Sequence, residues 1–177
     1  MKRLMFFFAV TIFFNACNNG KNENASNEKT DSSASSVSLP YTASYSSQFN
    51  DNVSDSDVLV VMNSYKYWES GDMKLEAGTY ADSITFHSFD GLKFVGTNAA
   101  AMELFSKHRD SISTVKIEMT AWVKSHSLDK KSDFVNVWYK ETDTYKTGKI
   151  DSANYEDINA IYKGKIGFYS QYRQSLK

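Results

Sequence analysis

Residues 57–97 read DVLV VMNSYKYWES GDMKLEAGTY ADSITFHSFD GLKFVGT, and the changes of period within this stretch decide the fold. Val58, Val61, Met62, Tyr65 and Trp68 recur at three- and four-residue spacing, which predicts an amphipathic helix with Asn63, Lys66 and Glu69 on its polar side. Asp55 or Ser56 is placed to cap its start and Gly71 to end it. Asp72 then opens a short second helix whose Leu75 and Tyr80 point one way. After Tyr80-Ala81-Asp82 the period falls to two, with Ile84, Phe86 and Ser88 alternating with Thr85 and His87. Asp90-Gly91 is a hairpin signal, because both residues tolerate positive φ. The return strand, Leu92 to Val95, closes at Gly96, and Thr97 caps a third helix reaching to about Ile112.

Downstream the chain reads as long strands. Val115, Ile117, Met119, Ala121 and Val123 alternate with polar residues and Trp122, predicting one core face and leaving Trp122 outside. A turn at Asp129-Lys130-Lys131-Ser132 leads into a strand from Phe134 to Thr144. On it Val135, Val137 and Tyr139 share one face, and Phe134, Asn136 and Trp138 the other. Further strands follow over Tyr155–Tyr162 and Lys165–Arg173, joined at Lys163-Gly164. Three helices followed by long antiparallel strands predict an α+β fold, with the helices against one face of a strongly curved sheet.

A chain of 177 residues, 41% hydrophobic and 15% aromatic, supplies one well-filled core. A formal charge of −1 and a pI near 6.3 argue against a nucleic-acid partner. The single cysteine, Cys17, excludes an internal disulfide and a cysteine-based metal site, and His87, His108 and His126 lack metal-motif spacing, so no metal is expected. Gly164-Lys165-Ile166-Gly167 lacks the strand–loop–helix context of a phosphate loop, and no cofactor is expected.

At the start, Met1-Lys2-Arg3 precedes an apolar run from Leu4 to Phe14, about the length of a secretory signal core. Phe14-Asn15-Ala16-Cys17 resembles a bacterial lipoprotein signal, with Phe14 where leucine is usual; the alternative is an ordinary signal peptide. The expected organisation is a signal peptide over 1–16, lipidated Cys17 and a disordered tether over 17–50, and a folded domain over 51–177. Residues 18 to about 50 are mostly polar and aperiodic, with too little apolar surface to order themselves. The expected location is the bacterial cell envelope, outside the cytoplasm and lipid-anchored.

The order Trp68-Glu69-Ser70-Gly71-Asp72, Tyr80-Ala81-Asp82-Ser83-Ile84, Asp90-Gly91, Gly96 and Gly164-Lys165-Ile166 resembles the nuclear transport factor 2-like superfamily, in its SnoaL-like and ketosteroid-isomerase-like branch, over about residues 54–173. That resemblance implies a cone-shaped, mostly antiparallel sheet wrapped around the N-terminal helices, with a pocket at its open end. It places the isomerases' oxyanion tyrosine at Ser64, their catalytic base at Ser88 and a third polar residue at Asp157. With serine at two of these positions, ketosteroid-isomerase proton transfer is not supported.

The expected lining is Trp68, Tyr80, Trp138 and Tyr169, with Asp157 as main polar contact or as acid/base; each is also readable as an ordinary core or strand-end residue. His87 faces away from Ser88 unless the strand register shifts by one, which would pair it with Asp157. His108 and His126 read as surface residues. Three functions stay open: a non-catalytic binder of a small apolar molecule, a SnoaL-like enzyme using Asp157, and a homodimer pairing through the outer sheet face at Trp122.

Overall fold

The computed structural model describes residues 40–176. The signal segment, Cys17 and most of the tether lie outside the described residues. Helix α1 (Asp55–Ser70) is capped by Ser54, one residue before the expected caps, whose side chain accepts from the Asp57 N–H. It ends at Gly71, where φ is 77° and the backbone turns left-handed. Asp72 caps α2 (Met73–Ala77). Here the expectation is corrected: Leu75 is exposed and Glu76 is the buried residue. A helix of five residues has no room for an amphipathic pattern, so its packing against the neighbouring elements decides which side is buried.

Tyr80 belongs to strand β1 (Tyr80–His87), which turns through Asp90-Gly91 into β2 (Lys93–Thr97). Thr97 caps α3 (Asn98–Arg109) as expected, and the helix stops three residues short of Ile112. The long strands are β3 (Ile112–Ser127), β4 (Ser132–Tyr145), β5 (Ile150–Tyr162) and β6 (Lys165–Ser175). A two-residue strand before α1, Phe49–Asn50, pairs with the far end of β3, and Tyr45 and Phe49 meet Phe134 edge-on. The folded unit therefore includes Phe49–Asn50, ahead of the boundary expected at residue 51.

Among the described residues, seven strands form one sheet in the order Phe49–Asn50, β3, β4, β5, β6, β1, β2. All neighbours are antiparallel except β6 and β1, which run parallel. Helix α1 lies in the concave face, where Val61 and Tyr65 join Ile84, Phe86, Val135, Val137, Tyr139 and Ile166 in the core. Arg109 ties α3 to the end of α1, donating to the backbone oxygens of Trp68 and Glu69 at 2.9 and 3.2 Å and to Ile112 O at 3.1 Å. Glu69, expected on the polar side, accepts from the Ile117 N–H at 3.1 Å and so covers part of the β3 edge.

Strand β3 departs from simple alternation. Met119 lies opposite Tyr139, but Ala121 lies opposite Trp138 and Trp122 opposite Val137, so Thr120 is an extra residue. The core face therefore ends at Met119. Beyond the bulge, Trp122 turns to the side of Val137 and Val123 to the side of Asn136, the reverse of the expected faces. Both remain about half exposed, at 55% and 46%, because this end of the sheet extends past the helix.

Candidate functional site

A cavity of about 320 Å³ opens between α1, α2, α3 and the concave faces of β1, β4, β5 and β6. Its polar centre is Asp157, which is fully buried. One carboxylate oxygen, Oδ2, accepts from the hydroxyls of Tyr65 at 2.8 Å and Tyr139 at 2.9 Å. Those hydroxyls are themselves held, Tyr65 by Asn159 Nδ2 at 3.3 Å and Tyr139 by Gln171 Nε2 at 3.1 Å. The other oxygen, Oδ1, is buried with no partner among the described residues. Burial pushes the Asp157 carboxyl up to about 7, against the lowering effect of its hydrogen bonds from Tyr65 and Tyr139. With Oδ2 occupied by two donors, a proton on Asp157 belongs on Oδ1.

The local sequence explains this arrangement. Tyr65 lies one helical turn beyond Val61, and the core that buries Val61 draws the tyrosine ring inward with it. Strand alternation on β5 turns Tyr155, Asp157 and Asn159 to one face, and register sets Asp157 beside Val137 and Gln171. The tyrosine rings pack in sequence: Tyr65 meets Tyr139 edge-on with centroids 5.0 Å apart, and Tyr139 stacks on Tyr155 at 5.3 Å. At the rim, Phe89 meets Tyr155 edge-on, and the Arg173 guanidinium lies over Phe89.

Trp68, Tyr80, Asp157 and Tyr169 all line this cavity, whereas Trp138 does not. Trp138 follows Val137 and precedes Tyr139, both core residues, so the pleat sends it to the opposite face of β4. Ser64 reaches the cavity wall, but its hydroxyl donates to Val61 O at 2.7 Å within its own helix. Ser88 lies just past β1, beside Asp90. His87 faces away and meets Phe168 edge-on, so it forms no pair with Asp157. His108 is exposed on α3, as expected, and in addition stacks on Trp68 at the cavity wall. His126 pairs with Asp133 across β3 and β4.

Further acidic residues escaped the sequence reading. Glu141 and Asp143 follow Tyr139 on the concave face of β4, and Glu76 faces them from α2's side of the cavity; all three are buried. Burial raises Glu141 to about 8, with nearby Asp143 adding to the rise and a hydrogen bond from Trp68 opposing it. Burial likewise raises Glu76 to about 8, opposed by the Arg109 charge, and raises Asp143. The signal was present in the alternation Val135, Val137, Tyr139, Glu141, Asp143. It went unread because the last two are residues that ordinarily face water.

No family model matches this sequence, and no curated protein is similar to it. Solved structures do match its shape. A nuclear transport factor 2-like protein from Exiguobacterium sp. 255-15 superposes with a TM-score of 0.56 at 15% identity, over 66% of this chain and 99% of that one. An epoxide hydrolase of LEH-like type from M. tuberculosis gives 0.56 at 8% identity, over 68% and 84%. A protein with a ketosteroid isomerase-like fold from Catenulispora acidiphila, solved in complex with trimethylamine, gives 0.54 at 13%, over 66% and 85%. With the curved sheet, the helix in its concave face and the cavity at its open end, these likenesses show that the chain has the nuclear transport factor 2-like, ketosteroid isomerase-like fold.

Proposed function

We propose that the cone holds a small, largely apolar molecule without transforming it, walled by Trp68, Tyr80 and Tyr169 and oriented by Asp157. The observation that carries this reading is the unpartnered Oδ1 of Asp157 within an aromatic cavity. A few polar groups in a cavity of roughly 300–1,000 Å³ is the usual form of a small-molecule site. Crystallisation of one protein of this fold with trimethylamine is in keeping with it.

Acid–base catalysis by Asp157 is the second reading, favoured by a carboxyl near pH 7, where proton transfer in either direction is easy. Against it, the Ser64 hydroxyl is engaged by a backbone carbonyl and Ser88 supplies no carboxylate. Binding ranks first for that reason.

The three tryptophans separate the outcomes, because Trp68 lines the cavity while Trp122 and Trp138 lie outside it. Titration with indole or 2-phenylethanol, followed by the indole N–H resonances, should shift Trp68 and leave the other two in place. Shifts confined to Trp122 and Trp138, or none at saturation, would refute an open site in the cone.

We also propose that Cys17 carries the lipid anchoring this domain to the bacterial cell envelope, on the strength of the charged, apolar and small-residue run leading to it. Mass spectrometry of the native N-terminus should find a diacylglyceryl cysteine. A mature chain retaining Met1–Ala16, or bearing an unmodified Cys17, would exclude the anchor.

A further inference from the structure

The charges around the cavity say what the polar part of a ligand should be. Among the described residues, six carboxylic side chains line it, Glu76, Asp90, Glu141, Asp143, Asp151 and Asp157, with no lysine or arginine and with His108 as the one basic group. The nearest guanidinium groups are engaged. Arg109 donates to three backbone carbonyls, and Arg173 to Tyr155, Ser175 and Asp151.

Three of the lining carboxyls are buried with an oxygen that has no partner among the described residues: Glu76 Oε2, Asp143 Oδ1 and Asp157 Oδ1. A buried acceptor left without a donor has lost its water and gained nothing in exchange, which is unfavourable. These three come from separate elements, α2, β4 and β5, and all face one cavity. Asp143 lies directly across from Asp151, whose charge the Arg173 guanidinium already pairs at 2.8 Å, so the uncompensated acids are those further into the cavity.

The acids are spread out as well as numerous. Asp157 is level with Val137 on β4, Glu141 lies four residues further along that strand, and Asp143 six, level with Asp151. At about 3.3 Å per residue this is a ladder roughly 20 Å long before the curvature of the sheet shortens it. Tyr139 and Tyr155, stacked on each other, stand between its rungs and give the cavity wall an apolar stretch between the acids. No group of three or more of the described His, Cys, Asp or Glu residues is arranged to hold a metal ion. The arrangement fits a chain of methylenes bearing separated charges better than a point charge.

We propose that the ligand of the cone is a linear organic amine, with ammonium groups meeting the unpartnered carboxylate oxygens and a methylene chain against the tyrosine rings. This rests on the small-molecule site proposed above and assigns its chemical class. A set of eight-carbon probes differing only in charge tests it: 1,8-diaminooctane, octylamine and 1-octanol, titrated calorimetrically into the full chain at about pH 8, where both amines are cationic. Affinity should rise from alcohol to monoamine to diamine, by about tenfold or more per ammonium group. The preference for diamine over alcohol should fall about tenfold in Asp143→Asn and in Glu141→Gln. Glu118→Gln, altering an exposed outer pair with Lys116, controls for general charge and should leave that preference unchanged. If the alcohol binds as tightly as the amines, the cationic class is wrong and the small-molecule site stands. If none of the three binds, both readings fall.

Discussion

Replacing Asp157 with leucine should destabilise the domain by about 2–5 kcal/mol, while replacing it with asparagine should change stability by less than about 1 kcal/mol near pH 5. The tyrosines set the difference. Tyr65 and Tyr139 both donate to Oδ2, and leucine would leave two buried hydroxyls without an acceptor, whereas the asparagine carbonyl keeps both bonds. The comparison belongs near pH 5, because Asp157 is then neutral in the folded state and the substitution removes no charge. Urea unfolding of the three proteins measures it. Equal stability for the leucine and asparagine variants would mean that the tyrosine hydroxyls find other acceptors and that the network is not what holds the cone closed.

Stability should fall as pH rises from about 5 to about 8, by on the order of 3 kcal/mol. The sign follows from the cavity acids. Asp157 is raised to about 7 and Glu76 and Glu141 to about 8, all above their unfolded values, so the folded chain holds protons that the unfolded chain has already released. Their contribution is fully present below the unfolded pKa and is lost as pH climbs through 7 and 8. The ceiling is ~1.4 kcal/mol per pH unit for each group, and water entering at the mouth keeps the sum well below it. Surface carboxylates such as Asp55, Glu103 and Glu118 are lowered by lysine partners and act oppositely, but in full contact with solvent their effect is small. Urea midpoints across this range should slope downward, and the triple change Glu76→Gln, Glu141→Gln, Asp157→Asn should flatten the slope. A midpoint that rises toward pH 8 would show these carboxylates ionised and paired inside the fold.

Much of the fold is legible in local sequence because its signals are local. The spacing of Val61, Tyr65 and Trp68 needs only a 3.6-residue period to define a face. Gly71 at φ 77°, Asp72 over Leu75 N–H and Thr97 over Ala100 N–H each settle an element end within three residues of themselves. The candidate site was legible in part for the same reason. Alternation alone gathers Tyr155, Asp157 and Asn159, and applied without exception it also removes Trp138 from the lining and adds Glu141 and Asp143. Residue hydrophobicity misled there, because it ranks a tryptophan as interior and a glutamate as exterior wherever the backbone points them.

By itself, then, the sequence determined the α+β class, the order of the helices and the long strands, the caps at Asp72 and Thr97 with the turn at Asp90-Gly91, and the placement of Asp157 on the inner face of its strand. Tertiary structure alone decided three other things. The bulge at Thr120 reversed Trp122 and Val123, since one extra residue in a ladder flips every side chain beyond it and nothing nearby in the sequence announces it. The parallel pairing that sets Tyr80 against Ile166 and Phe86 against Tyr169 joins segments more than eighty residues apart, which no periodicity records. The same long-range closure brings Tyr65 from α1 and Tyr139 from β4 onto one oxygen of Asp157 and leaves the other free. A hydrogen bond's partners depend on ångström-scale positions in space, whereas a sequence pattern specifies only which way each side chain faces.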